Sequence, residues 1–238
     1  MKLKVENLKK QFDNKEVLKG ATFTFEQGKI YGLIGRNGAG KTTFFNCLNE
    51  DIIADDGSYK LEENGKTMDL DADNIGYVLS TPVVPEFLTA REFLKFFLDV
   101  NKKNSSSSKS IDDYLELMKI KEEDRDKLLK DYSHGMKNKI QMLVNIIANP
   151  VVLLLDEPLT SFDVIVADEM KRLLRDIKKD HIIIFSTHIM ELALDLCDDI
   201  VILNEGILEE IPKKNLDNTQ YKDKIIAALK GEEYESRI

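Results

Sequence analysis

The sequence predicts an α/β fold built on a parallel core sheet, with an antiparallel β portion at the N-terminus and a helical insert. Three observations carry that expectation. IYGLIG (30–35), VVLLLD (151–156) and IIIFST (182–187) are continuous apolar runs, the form of parallel strands buried on both faces, and helical segments separate them. Ala21, Phe23 and Phe25 alternate with Thr22, Thr24 and Glu26, as a half-buried antiparallel sheet requires. Thr89 and Glu92 form a T-x-x-E capping box that opens a helical pattern in the middle of the chain.

Taken in order, Leu3 and Val5 begin a set of short strands over residues 2–27, punctuated by Gly20 and Gly28. The first buried run ends in glycines and leads into a helix. Beyond it, Phe93, Phe96, Phe97 and Val100 follow the capping box at i, i+3, i+4 and i+7, so the spacing predicts a helix over about 90–101. NKKNSSSSKS (101–110) reads as a mobile polar loop, Ile111–Ile120 as a second helix, and Glu122–Lys130 is mostly charge. Another helical pattern opens at DYSHGM (131–136) and continues through Ile140, Leu143, Val144 and Ile147. IVILNEGILEEI (200–211) predicts a hairpin closing the sheet, and the tail from Lys213 carries one helix around Ile225–Leu229. These readings divide a single domain into a core of 1–85 and 150–212, a helical subdomain of 86–149 and a tail of 213–238.

The 238 residues, 42% hydrophobic and 32% charged, can bury a real core. The net charge of -9 opposes sequence-independent nucleic-acid binding, which relies on a basic surface. Cys47 and Cys197 are far apart in sequence, so a reducing cytosol is expected rather than a disulfide framework. MKLKVENLKKQF has no apolar signal region, and no stretch approaches the roughly 18 apolar residues of a membrane span. The expectation is a chain soluble by itself, so that any membrane connection must come through a partner.

GRNGAGKTT (35–43) follows the first buried run and opens a helix, the context a phosphate-binding P-loop needs. Gly35, Gly38 and Gly40 let the backbone bend, with Asn37 and Ala39 between them, so that N–H groups turn inward around phosphates. Lys41 is expected to reach the β and γ phosphates, Thr42 to ligate Mg²⁺, and Thr43 to complete the nucleotide-binding set. VVLLLDEP delivers Asp156 to the carboxyl end of a buried strand, where it suits Mg²⁺, and Glu157 beside it can polarise a water. Two acids at a strand end can also be a solvated edge. His188 ends the next buried run at the same edge, either as a structural histidine or within reach of a γ-phosphate. Ser133 fits an ordinary N-cap, and the helix start it opens also suits an anion.

Together GRNGAGKTT, YSHGM, LLLDEP, TSFD (160–163) and STH (186–188) resemble, in order and over essentially the whole chain, the nucleotide-binding domain of ATP-binding-cassette (ABC) transporters. The resemblance implies a P-loop NTPase fold that uses ATP and Mg²⁺, with Glu157, His188 and Lys41 catalytic. It further implies that Ser133 and Gly135 close over the γ-phosphate held by a partner in a head-to-tail dimer, with Asp163 at the interface. Phe12 matches the aromatic that stacks on adenine, although an aromatic on an early strand is also an ordinary core residue. Ser80 stands where the family usually has glutamine, which places it in the Mg²⁺ set with Thr42 and Asp156; it is too short to reach both Mg²⁺ and the attacking water directly, so either an ordered water takes over that role or hydrolysis is slower.

The implied function is an ATPase subunit that dimerises on ATP and drives a separate membrane-spanning permease, of the export type. Its partners are then the permease and a second ABC ATPase protomer, either a copy or a paralogue, with no nucleic acid. Its place is the cytoplasm, peripheral on the inner face of the cell membrane. The alternative is a soluble ABC ATPase acting on a non-transport protein complex. TPVVPEFLTAREF (81–93) bears on the choice, because so apolar a loop either receives the permease or tucks into its own core.

Overall fold

The alternation at Leu3 and Val5 opens a long antiparallel hairpin. The computed structural model describes residues 1–101, 109–159, 162, 164–212 and 225–226. Strand β1 (Lys2–Phe12) pairs with β2 (Lys15–Glu26), placing Leu3 opposite Phe25 and Phe12 opposite Lys15. Both strands are longer than the short ones expected. Register shifts after Val5, Leu8 and Lys10 break the two-residue alternation without ending the ladder. The first buried run is β3 (Ile30–Ile34), and α1 (Lys41–Leu48) follows it through the glycine-rich turn.

Strands β4 (Asp56–Glu63) and β5 (Lys66–Asp69) complete a four-stranded antiparallel sheet in the order β2-β1-β4-β5. The sequence reading assigned neither. β5 is exposed throughout, so no apolar pattern marks it, and the signal is the Asn64-Gly65 turn, with φ of 51° and 76°.

The second sheet begins at β6 (Ile75–Val78). The helices α2 (Ala90–Val100), α3 (Ile111–Leu117), α4 (Glu122–Arg125) and α5 (His134–Ala148) form the insert. Then come β7 (Val152–Asp156), α6 (Val164–Ile177), β8 (Ile182–Thr187), α7 (Met190–Leu196), β9 (Asp199–Asn204) and β10 (Ile207–Pro212). The order is β10-β9-β3-β8-β7-β6, parallel except for the antiparallel β10, which closes the edge as the expected hairpin. The Thr89 capping box forms: its Oγ1 accepts from Glu92 N–H at 3.2 Å, and Glu92 Oε2 accepts from Thr89 N–H at 2.9 Å. α3 stops short of Ile120, where Lys119 takes a positive φ of 52°. The polar segment 102–108 lies outside the described residues, as does the tail save Ile225 and Ile226, which are helical.

The buried runs are apolar throughout because each divides its side chains between two cores. From β7, Leu153 and Leu155 join α2, α3 and α5, while Val152 and Leu154 join α1 and the antiparallel sheet. β3 divides likewise, Ile30 and Ile34 from Tyr31 and Leu33. Burying each such side chain contributes roughly 1.5–3 kcal/mol, so these strands are rigid supports for whatever emerges from their ends. Their register aligns those ends: Ile34 lies opposite Thr187, and Asp156 opposite Ser186. In an open parallel sheet that edge is where ligands bind.

Candidate active site

The turn from Gly35 to Gly40 is pressed from behind by β2 and β9. A Cβ on Gly40 would come within 2.8 Å of Val17 Cγ1, and one on Gly35 within 2.7 Å of the Leu203 carbonyl oxygen. Gly38 takes a left-handed φ of 79°, yet a Cβ there would meet nothing within 4 Å, because the residue faces an open groove. The groove holds about 470 Å³. Gly40 caps α1 without a side-chain hydrogen bond, so the backbone N–H groups of the first turn are presented to an anion.

Lys41 is nearly buried, and its Nζ donates to the carbonyl oxygens of Gly35 at 2.7 Å and Arg36 at 3.2 Å. Burial pushes its ammonium below the usual lysine range, against the pull of the Glu157 and Asp156 charges. Asp156, 3% exposed, accepts from Thr42 Oγ1 at 2.9 Å and from Ser186 Oγ at 2.5 Å. Ser186 Oγ in turn accepts from the Glu157 N–H at 3.1 Å. Glu157 has a positive φ of 49°, and its Oε1 lies 2.9 Å from His188 Nδ1. One connected set of polar groups therefore runs Thr42, Asp156, Ser186, Glu157, His188 across the ends of β7 and β8.

The ABC transporter family matches residues 18–160. The chain belongs to that family. An uncharacterised ABC transporter ATP-binding protein of Methanocaldococcus jannaschii is 37% identical over 207 residues, which is 86% of this chain and 75% of that protein. The bacitracin transport ATP-binding protein BcrA of Bacillus licheniformis is 34% identical over 222 residues, 90% of this chain and 71% of that one. The sulfate/thiosulfate import ATP-binding protein CysA of Mannheimia succiniciproducens is 32% identical over 228 residues, 90% of this chain and 62% of that one. A solved ATP-binding subunit of an ABC transporter aligns with a TM-score of 0.80 at 23% identity, covering 97% of this chain and 100% of that one. A solved dimer of an ATP-binding cassette, bound to ADP and Pi, aligns with a TM-score of 0.73 at 19% identity, covering 89% and 98%. Both share the fold.

As an ABC transporter ATP-binding chain, the protein is an ATPase. Of the residues singled out in the sequence, the P-loop set Asn37, Gly38, Gly40, Lys41, Thr42 and Thr43 lines the groove, with Gly35 and Ala39 forming the rest of the turn. Asp156 and Glu157 face them, Ser80 and Phe12 also line the groove, and His188 joins through Glu157. Phe12 is 42% exposed, so the core alternative does not hold for it. Ser133 and Gly135 are not among the groove residues. Ser133 is the exposed N-cap of α5, where its Oγ accepts from Met136 N–H at 3.2 Å, and Gly135 sits in the first turn. Asp163 lies outside the described residues, together with Thr160 and Ser161 of the same motif.

The sequence reading gave no role to Ser186, whose hydroxyl bridges the two acids, nor to Lys15 and Val17, which also line the groove. The signal for Ser186 was its place within STH. Nothing marked Lys15 and Val17 before the hairpin register was known.

Among the described residues no cluster of three or more His, Cys, Asp or Glu could hold a metal ion. The groove offers the Thr42 hydroxyl and the Asp156 carboxylate, already in contact. That sparse, all-oxygen set fits Mg²⁺, which takes few protein ligands and completes its shell with phosphate and water.

Proposed function

We propose that this chain is the ATP-hydrolysing subunit of a transporter, closing head-to-tail on ATP with a second ABC protomer and driving a separate membrane-spanning permease in the export direction. The observation that carries the reading is the separation of its phosphate-binding features. Lys41, Thr42, Asp156, Glu157 and His188 meet around one groove, while Ser133 and Gly135 stand outside it at the head of α5. A second protomer can supply the phosphate that this helix start would receive. ATP shared in this way joins the protomers, and its hydrolysis releases them.

In the proposed mechanism Lys41 and His188 hold the charge developing on the γ-phosphate, and Glu157 orients a water in line with it. Mg²⁺, held by Thr42 and Asp156, would neutralise phosphate oxygens. Ser80 lines the groove, and its short side chain would reach the metal through an ordered water. The same reading keeps the division into a core of 1–85 and 150–212, a helical subdomain of 86–149 and a tail of 213–238.

The permease is supported by the loop before α2 and by α2 itself. Val84 packs on the core, but Val83 and Phe87 are 70% and 78% exposed, and Phe96 and Val100 on α2 are exposed as well. So much apolar surface in one region suits a protein partner. Among the described residues no helix is long and apolar enough to cross a membrane, so attachment to the inner face of the cell membrane would come through that partner. The export direction rests on the form of residues 75–94.

The test is the solution mass of Glu157→Gln with and without ATP. A shift to dimer that Ser133→Arg abolishes supports the shared site; a monomer despite bound ATP overturns self-pairing. Recovery of the chain in a soluble complex and not with membranes would replace the permease by the non-transport alternative.

A further inference from the structure

Phe12 does not stand alone at the mouth of the groove. Lys10 Nζ lies over its ring, 5.4 Å from the centroid. That ammonium is itself fixed, donating to Asp55 Oδ1 and to the Ile53 carbonyl oxygen, each at 2.8 Å, and its side chain is only 13% exposed. The other oxygen of Asp55 accepts the Gln11 N–H at 2.6 Å, and the Asp55 N–H donates to the Lys9 carbonyl oxygen at 2.9 Å. Residues 53–55 lie between α1 and β4. The segment leaving the helix that begins at Lys41 is therefore bonded to Lys9, Lys10 and Gln11, the three residues before Phe12.

We infer that Lys10 is a positioning residue for the nucleotide base: clamped by Asp55, its ammonium backs one face of Phe12 and presents the other face to a stacked adenine. The inference rests on the reading that Phe12 stacks on the base. A cation over an aromatic face is attracted by the ring's negative quadrupole, so it restrains the ring's rotation and blocks that face to other partners. A ring already held in place loses less freedom when the base arrives. Asp55 makes the arrangement a clamp because one carboxylate grips both the Lys10 ammonium and the backbone leading into Phe12.

The experiment is calorimetric binding of ATP and of inorganic tripolyphosphate to the full chain and its variants. Lys10→Met is expected to weaken ATP by about 3- to 10-fold, the effect of freeing one side chain, and to leave tripolyphosphate unchanged. Lys10→Arg should restore most of the ATP affinity, and Asp55→Asn should reproduce the loss. Adding Lys10→Met to Phe12→Ala should weaken ATP no further than Phe12→Ala alone. Equal weakening of ATP and tripolyphosphate, or an undiminished effect of Lys10→Met in the Phe12→Ala background, would overturn the inference. If Phe12→Ala weakens ATP and Lys10→Met does not, the positioning role falls while base stacking stands. If Phe12→Ala leaves ATP affinity unchanged, the stacking reading falls and takes this inference with it. Unchanged tripolyphosphate binding also shows that the variants are folded.

Discussion

Thr42 Oγ1 and Asp156 Oδ2 are 2.9 Å apart, and that hydrogen bond joins the first turn of α1 to the last residue of β7. Thr42→Val keeps the shape and removes the donor. Asp156 would then keep Ser186 but lose one of its two side-chain donors, at a cost of about 1–3 kcal/mol for a buried acceptor left short. Urea denaturation should show that loss, and a magnesium titration of ATPase activity should move to higher concentration. Unchanged stability and unchanged magnesium response would mean that the pair is incidental.

Glu157→Gln keeps the size of the side chain and the unusual backbone at that position. Turnover is expected to fall by about 10²- to 10⁴-fold, the range for removing a group that handles a proton or orients water, with nucleotide affinity little changed. A variant that hydrolyses ATP at the original rate would remove Glu157 from the mechanism.

Gly38→Ala and Gly40→Ala distinguish strain from intrusion. Both positions have positive φ, 79° and 108°, so both substitutions are expected to destabilise the fold by about 1–2 kcal/mol. The new methyl at Gly40 also meets Val17, whereas at Gly38, which lines the groove, it meets nothing within 4 Å. Gly40→Ala should therefore lose more stability, and Gly38→Ala more nucleotide affinity for each unit of stability lost. Equal losses of affinity would mean that Gly38 does not face the phosphates.

Glu86 and Lys137 form a 2.6 Å ion pair between the apolar loop and α5, beside the 3.0 Å bond from Val83 N–H to Gln141 Oε1. The Lys137 ammonium holds the Glu86 carboxyl below its usual range, 4.5 for a free side chain. A carboxyl with a lowered folded pKa contributes stability above its unfolded pKa and loses it as pH falls through the folded value. The tie is thus intact at neutral pH and breaks only as pH falls through the folded value, which the Lys137 ammonium holds below 4.5. Amide exchange of Val83–Leu88 in Glu86→Gln at pH 7 should exceed that of the unmodified chain, and the difference should vanish once pH has fallen through the lowered folded value of Glu86. A difference that persists at low pH would exclude the ion pair as its cause.

Most of the site was legible because it is local: the P-loop, the acids after β7 and the histidine after β8 each follow a strand that its own apolar run announces. The parts that were not legible depend on register between distant segments. Ser186 reaches Asp156 only because β7 and β8 pair with those two residues opposite each other. Lys15 and Val17 come to the groove through the hairpin, whose alternation is interrupted by shifts that the sequence does not signal. β4 and β5 escaped because one buries a single residue and the other none, so they carry little apolar pattern, although Asn64-Gly65 marked their turn. The capping box shows the opposite case, since its reciprocal bonds need only four consecutive residues.

The cap at Ser133 also bears on which side chains that position can carry. Capping uses a lone pair of the hydroxyl oxygen, which accepts the Met136 N–H, and leaves the hydroxyl proton unspent. Helix stability and the proposed phosphate recognition would therefore draw on different halves of one functional group, and α5 need not unwind at its first turn for both to be satisfied. Aspartate in that place would cap the helix equally well and repel a phosphate, since it has lone pairs and no proton to give. The two demands narrow the choice to side chains that accept and donate at once. Ser133→Asp would separate them, preserving the fold of one protomer while silencing the site that, in the proposed head-to-tail pairing, it would complete in another.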